Sequence, residues 1–183
     1  MFEEGLKTHE ELENYFGIVG TNIDLGYYHC LSMGELDKSF EYNKIAHSVA
    51  NQTGNLLSIS LGDLGMGMYY KFIGDFNRGD KHFKKGLHST GKIGDNTLTS
   101  LMNQELGDSL FLQKKYKESL LCFEKSDKIS KEINLDLWRI GTVLGLAVNK
   151  KALGIDIDYD ILKNEIKKFY ARGNRKYEFN RNY

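Results

Sequence analysis

The sequence predicts an all-α protein, a solenoid of two-helix units, and two series of helix-breaking residues predict it. Asn14, Gly54, Gly94, Asn134 and Asn174 stand forty residues apart. Gly34, Gly74 and Gly154, with Lys114 in the remaining place, form a second series at the same spacing, twenty residues out of phase. Glycine and asparagine enter the left-handed conformation that closes a helix more readily than other residues. A break every twenty residues forbids one core shared by the whole chain. It calls for a stack in which each unit packs on its neighbours. The chain has no proline, so glycine and asparagine must supply nearly every break.

Taken in order, residues 1–12 read as the tail of a second helix, because "FEEGLKTHEELEN" echoes "FKKGLHSTGKIGDN" at 83–96. First helices are expected at 16–32, 56–72, 96–113 and 136–152, and second helices at 36–52, 76–92, 116–132 and 156–172. Each segment is about four to five turns long at 3.6 residues per turn. The whole chain, 1–183, then forms one repeat domain with units at about 16–54, 56–94, 96–134 and 136–174. Residues 176–183 begin a further first helix. With a partial helix at each end the chain is expected to be a fragment of a longer array, since solenoids finish with polar capping helices.

Inside the units the same offsets recur. Gly67, Tyr70, Gly74, Gly79, Phe83 and Gly86 in one unit match Gly107, Leu110, Lys114, Ser119, Phe123 and Ser126 in the next. Small residues stand where paired helices must approach closely, and bulky ones where they must interlock. The first unit keeps the scheme loosely with Tyr27, Cys30, Gly34, Ser39, Asn43 and Ala46. The fourth, with Ala147, Lys150, Gly154, Tyr159, Lys163 and Ile166, is the most degenerate.

With these offsets the chain resembles the tetratricopeptide repeat (TPR) family, in its long variety with a forty-residue repeat. That variety is found in adaptor proteins of cell polarity and in bacterial regulatory ATPases, cyclases and transcription activators. The resemblance implies a right-handed superhelix whose first helices line a concave groove. The inner positions it assigns are Asp24, Tyr28, Leu31 and Ser32 in the first unit and Leu64, Met68, Lys71 and Phe72 in the second. The third supplies Gln104, Asp108, Phe111 and Leu112, and the fourth Leu144, Val148 and Lys151. Such a mostly apolar stripe with spaced charges suits an amphipathic helix or an extended peptide. Tyr28, Met68, Phe72 and Phe111 are expected to be partly exposed along it. Receptors for chaperone tails in this family use a basic and amide clamp, which Asp24, Tyr28, Leu64 and Met68 cannot supply.

Composition narrows the function classes. Lysine plus arginine equals aspartate plus glutamate at 25 each, so the chain lacks the basic excess that phosphate contacts demand, and nucleic acid is not the expected partner. No apolar run approaches a membrane span, and the acidic start is unlike a secretion signal, so a cytoplasmic protein is expected. Cys30 and Cys122 form no spaced motif. The opening helix is acidic and the last is basic, which favours self-association through the terminal helices, residues 1–13 and 163–183.

Several stretches imitate chemical motifs. Asp156, Asp158 and Asp160 alternate like a calcium loop, but Ile161 and Lys167 stand where a glycine and a bidentate glutamate are needed. They read instead as acidic residues at a helix N-terminus. Gly62, Gly65 and Gly67 follow no strand and read as packing residues. His9, Glu10 and Glu11 lack the second histidine of a zinc protease, and His82 and Cys122, at equivalent places in neighbouring units, are too far apart to share a metal. No set of nucleophile, base and orienting group emerges, so neither catalysis, a cofactor nor a metal is expected. The expected function is a binding scaffold for another protein or peptide. The alternative is a regulatory module of a signalling ATPase, cyclase or transcription regulator that packs on the chain's own effector domain.

Overall fold

The structure, a computed structural model, describes the backbone of residues 2–179 and the side chains of 4–27, 29–135, 139–168, 170 and 171. All of its regular elements are helical, and no strand occurs among the described residues. The helices are α1 (Phe2–Glu11), α2 (Tyr15–Ile23), α3 (Leu36–Thr53), α4 (Leu56–Phe72), α5 (Phe76–Ile93), α6 (Asn96–Leu112), α7 (Tyr116–Glu132), α8 (Asp136–Ala152) and α9 (Tyr159–Phe179). Helix α2 continues directly into a π-helical segment, Asp24–Leu31.

The turns explain the boundaries. Gly34, Gly54, Gly74, Gly94 and Gly154 have φ between 65° and 80°, and Glu13, Lys114 and Asn134 have φ of 50°, 61° and 54°. After four of these residues comes a side chain that caps the next helix. Asn14 accepts from the Gly17 amide, Asn55 from Leu57 and Ser58, Asp75 from Arg78, and Asp95 from Leu98. One left-handed residue followed by one capping residue turns the chain back on itself in the minimum length.

Successive left-handed residues from Gly34 to Gly154 are twenty apart, but Glu13 to Gly34 is twenty-one. The first unit therefore breaks one residue earlier than expected, at Glu13 rather than Asn14. The surplus residue falls in its first helix, where the wider winding of a π-helix takes it up without displacing the turn at Gly34. The last break also differs from expectation. Asn174 lies inside α9, which runs on to Phe179, so the expected boundary at 174 and the new helix from 176 are not formed, and 180–183 lie outside the described residues. Asp158 accepts from the Asp160 and Ile161 amides and so caps α9, which begins at Tyr159 rather than 156.

Each helix packs on the next along the chain, and α2, α4, α6 and α8 also touch in succession. These even-numbered helices form one layer and the odd-numbered ones the other. Helices α2 and α3 make no substantial contact with α8 or α9 among the described residues. The core is correspondingly elongated: Val19, Ile23, Ala46 and Ala50 fill the first part, and Leu64, Met68, Phe83, Leu98, Met102, Leu106 and Leu110 the middle. Phe83 and Phe123 are completely buried. A Cβ on Gly67 would stand 2.5 Å from the Phe83 ring, and one on Gly145 2.2 Å from the Phe123 ring. Those positions exclude any side chain because the aromatic rings of the second helices lie against bare backbone.

Buried hydroxyls tie the layers together. Ser100 on α6 meets Ser126 and Ser130 on α7 at 3.0 and 2.7 Å, Ser126 meets Thr142 on α8 at 3.0 Å, and Thr142 donates to Gln104 back on α6 at 2.9 Å. Arg139 on α8 bonds Asp127 on α7 at 2.9 Å and also pairs with Glu165, which anchors α9.

Lys114 holds a left-handed conformation on an exposed turn where its counterparts are glycine. Lys114→Gly should therefore stabilise the protein by about 1 kcal/mol, the strain relieved exceeding the added freedom of the unfolded chain. Urea denaturation measures this, and a loss of stability would mean that the lysine side chain makes a contact outweighing its strain.

Candidate functional site

Fourteen of the fifteen positions assigned to the groove fall into three groups. Leu31, Leu64 and Met68 are buried. Met68 was expected on the open surface, yet it is 3% exposed and packs with Leu64, Leu106 and Phe83. It is a core residue because α6 covers the face of α4 on which it stands. The side chain of Tyr28 lies outside the described residues.

A second group is half-buried. Lys71 Nζ donates to Glu105 Oε2 at 2.5 Å and lies 3.8 Å from Asp108 Oδ2. These three residues join α4 to α6. Burial pushes the Asp108 carboxyl up, with Glu105 adding to the effect and Lys71 opposing it, to about 6. For Lys71, burial would lower the ammonium, but Glu105 and Asp108 outweigh it and hold it above its ordinary value. Gln104 accepts from Thr142 across to α8. The half-buried Phe111 ring is 5.4 Å from that of Tyr116, and Asp24 is half-buried, with burial raising its carboxyl.

The third group is open. Phe72 is 56% exposed and Leu112 57%, at the same place near the ends of α4 and α6. Leu144 and Val148, one turn apart on α8, are exposed as well, as are Ser32 and Lys151. Successive first helices that touch one another thus present large apolar side chains outward.

An unexpected constellation lies on the other side of α4. Asp63 is fully buried, and its Oδ1 is 2.8 Å from His82 Nδ1 on α5 and 3.3 Å from His47 Nε2 on α3. Burial alone would raise this carboxyl, but hydrogen bonds with the two histidines and the nearby Lys85 hold it below its ordinary value. The His47 and His82 rings meet edge to face at 5.3 Å, and His82 stacks on Tyr70 at 5.6 Å. Helix α4 carries only two charged residues, Asp63 and Lys71. A charge in the middle of such a helix needs a buried partner, which was the signal in the sequence. His82 meets Asp63 across the layers, on α4, and His47 within its own layer, on α3, whereas Cys122 is its equivalent one unit on.

An open cleft at the α4–α5 turn, between Ile73–Arg78 and Gln113, brings no further reactive groups together. Its Asp75 and Arg78 bond each other at 2.5 Å. No helix among the described residues is long and apolar enough to cross a membrane. No protein-family model matches the chain, and no curated protein is significantly similar to it.

Proposed function

We propose that the chain is a non-catalytic interaction scaffold that holds an amphipathic helix or extended peptide of another protein against α4, α6 and α8. The carrying observation is the exposure of Phe72 and Leu112 at matching places on touching helices, with Leu144 and Val148 exposed on α8 two turns and one turn before the matching Ala152. Apolar side chains set out in a row on a rigid surface are the anchors that peptide recognition uses, one for each turn or alternate residue of the ligand. Lys151 is an exposed cation on the same helix as Leu144 and Val148, and Lys71 and Asp108 serve instead to fix α4 against α6. The reading rests on a TPR-like solenoid, with the even-numbered helices as the inner layer of a right-handed superhelix and the stripe on its concave side. The forty-residue recurrence of helix boundaries and the two-layer packing favour that architecture.

Selection from a displayed library of amphipathic and extended peptides tests the proposal. Phe72→Glu should weaken the selected peptides roughly 30-fold, as loss of a central anchor does. Circular dichroism and melting temperature should stay near the wild type, because Phe72 is mostly in water. Binding that ignores both Phe72→Glu and Leu112→Glu would place recognition elsewhere.

A further inference from the structure

We propose that His47, Asp63 and His82 form a three-ligand site for a divalent transition metal of the zinc class. One ligand comes from each of three consecutive helices, α3, α4 and α5, and the three ligand atoms lie within 4.8 Å of one another. Ligands at 2.0–2.2 Å from a tetrahedral ion stand roughly 3.4 Å apart, so the 2.8 Å His82–Asp63 contact must open slightly, and a side-chain adjustment of about 1 Å brings the three atoms to that spacing. The second observation is Asp63 Oδ2, which is buried and has no hydrogen-bond partner. Both histidines lie on Oδ1, and a bare carboxylate oxygen in the interior is costly. A cation bound between the two rings and the carboxylate removes that cost.

The donor set selects the metal. Two imidazoles and one carboxylate suit zinc, cobalt, nickel or copper, whereas calcium and magnesium require oxygen ligands throughout. Both histidines are partly exposed, at 26% and 20% of their side chains, which leaves a water or a partner's side chain access to a fourth position. Lys85 is 3.9 Å from Oδ1 but more than half exposed, and its flexible stem lets it swing into solvent. The corresponding positions one unit on are Leu87, Asn103 and Cys122, so the cluster is additional to what packing the repeat requires. It does not depend on the peptide-binding proposal.

The test uses the untagged full chain, freed of metal by chelation and titrated with zinc by calorimetry and with cobalt by visible absorption. One ion per chain is expected, with a rise in melting temperature on the order of 5 °C at saturation. Cobalt should give the intense visible band of low coordination number. His47→Gln and His82→Gln should each weaken binding roughly 100-fold, and their circular dichroism reports whether they fold. His29→Gln and His88→Gln, on exposed histidines, should change nothing. No zinc uptake by the wild type, or uptake that survives both His47→Gln and His82→Gln, overturns the site and leaves a hydrogen-bonded triad.

Discussion

Phe123→Ala should cost about 3–5 kcal/mol, the range for deleting a fully buried aromatic side chain. The ring stands between three helices: Cβ atoms built on Gly107 of α6 and Gly145 of α8 would come within 2.9 and 2.2 Å of it. Alanine leaves a cavity whose walls include two glycines, and a glycine has no side chain to move into the gap. The helices themselves must shift to close it. The serine and threonine hydroxyl bonds between α6, α7 and α8 resist such a shift. A domain of this size has a net stability of about 5–15 kcal/mol, so the variant loses a large share of it. Urea denaturation with an unchanged slope would measure the loss directly. A cost below about 1.5 kcal/mol would mean that α8 slides onto α7 and that the hydroxyl bonds are expendable.

Helix boundaries were legible because they depend on local backbone chemistry that repeats. The register placed even Lys114 in a left-handed turn, against its side chain's preference, because its neighbours in the series are glycines. Asn174 shows the limit of that logic. The Asn134 break is held by α8 folding back onto α7, whereas among the described residues nothing folds back onto α9 after 174, and asparagine alone is only weakly disposed against a helix. The extra residue before Gly34 was not visible even as a count, because Asn14 stands at the expected spacing and the left-handed turn falls one residue before it, at Glu13. Side-chain roles were less legible than boundaries. Whether Met68 faces solvent or Leu106 depends on how close α6 comes to α4, which its own sequence neighbourhood does not encode. Lys71 and Lys151 occupy one register position. The first reaches a buried glutamate, Glu105 on α6, and the second is exposed to water.

Lys71→Met should destabilise the protein by about 3 kcal/mol at neutral pH, although methionine fills nearly the same volume. Lys71 and Glu105 side chains are only 14% and 7% exposed, so removing the cation strands a carboxylate in the interior, with Asp108 beside it. Breaking such a pair from one side costs far more than the pair itself contributes. Without Lys71 the Asp108 carboxyl, already raised by burial to about 6, loses the cation that opposes the rise and titrates higher still. The penalty on Asp108 is therefore full above its folded-state value and is lost as pH falls from there to its value in the unfolded chain, so the variant should recover part of its lost stability near the acid end. Lys71→Met combined with Glu105→Leu should return to within about 1 kcal/mol of the wild type, since an apolar pair of similar size needs no desolvation. A single variant as stable as the wild type would show that water reaches the pair. The double variant also separates the two roles once given to Lys71. If it still captures the peptides that Phe72→Glu loses, the pair holds α4 to α6, and the anchors on the open face do the binding.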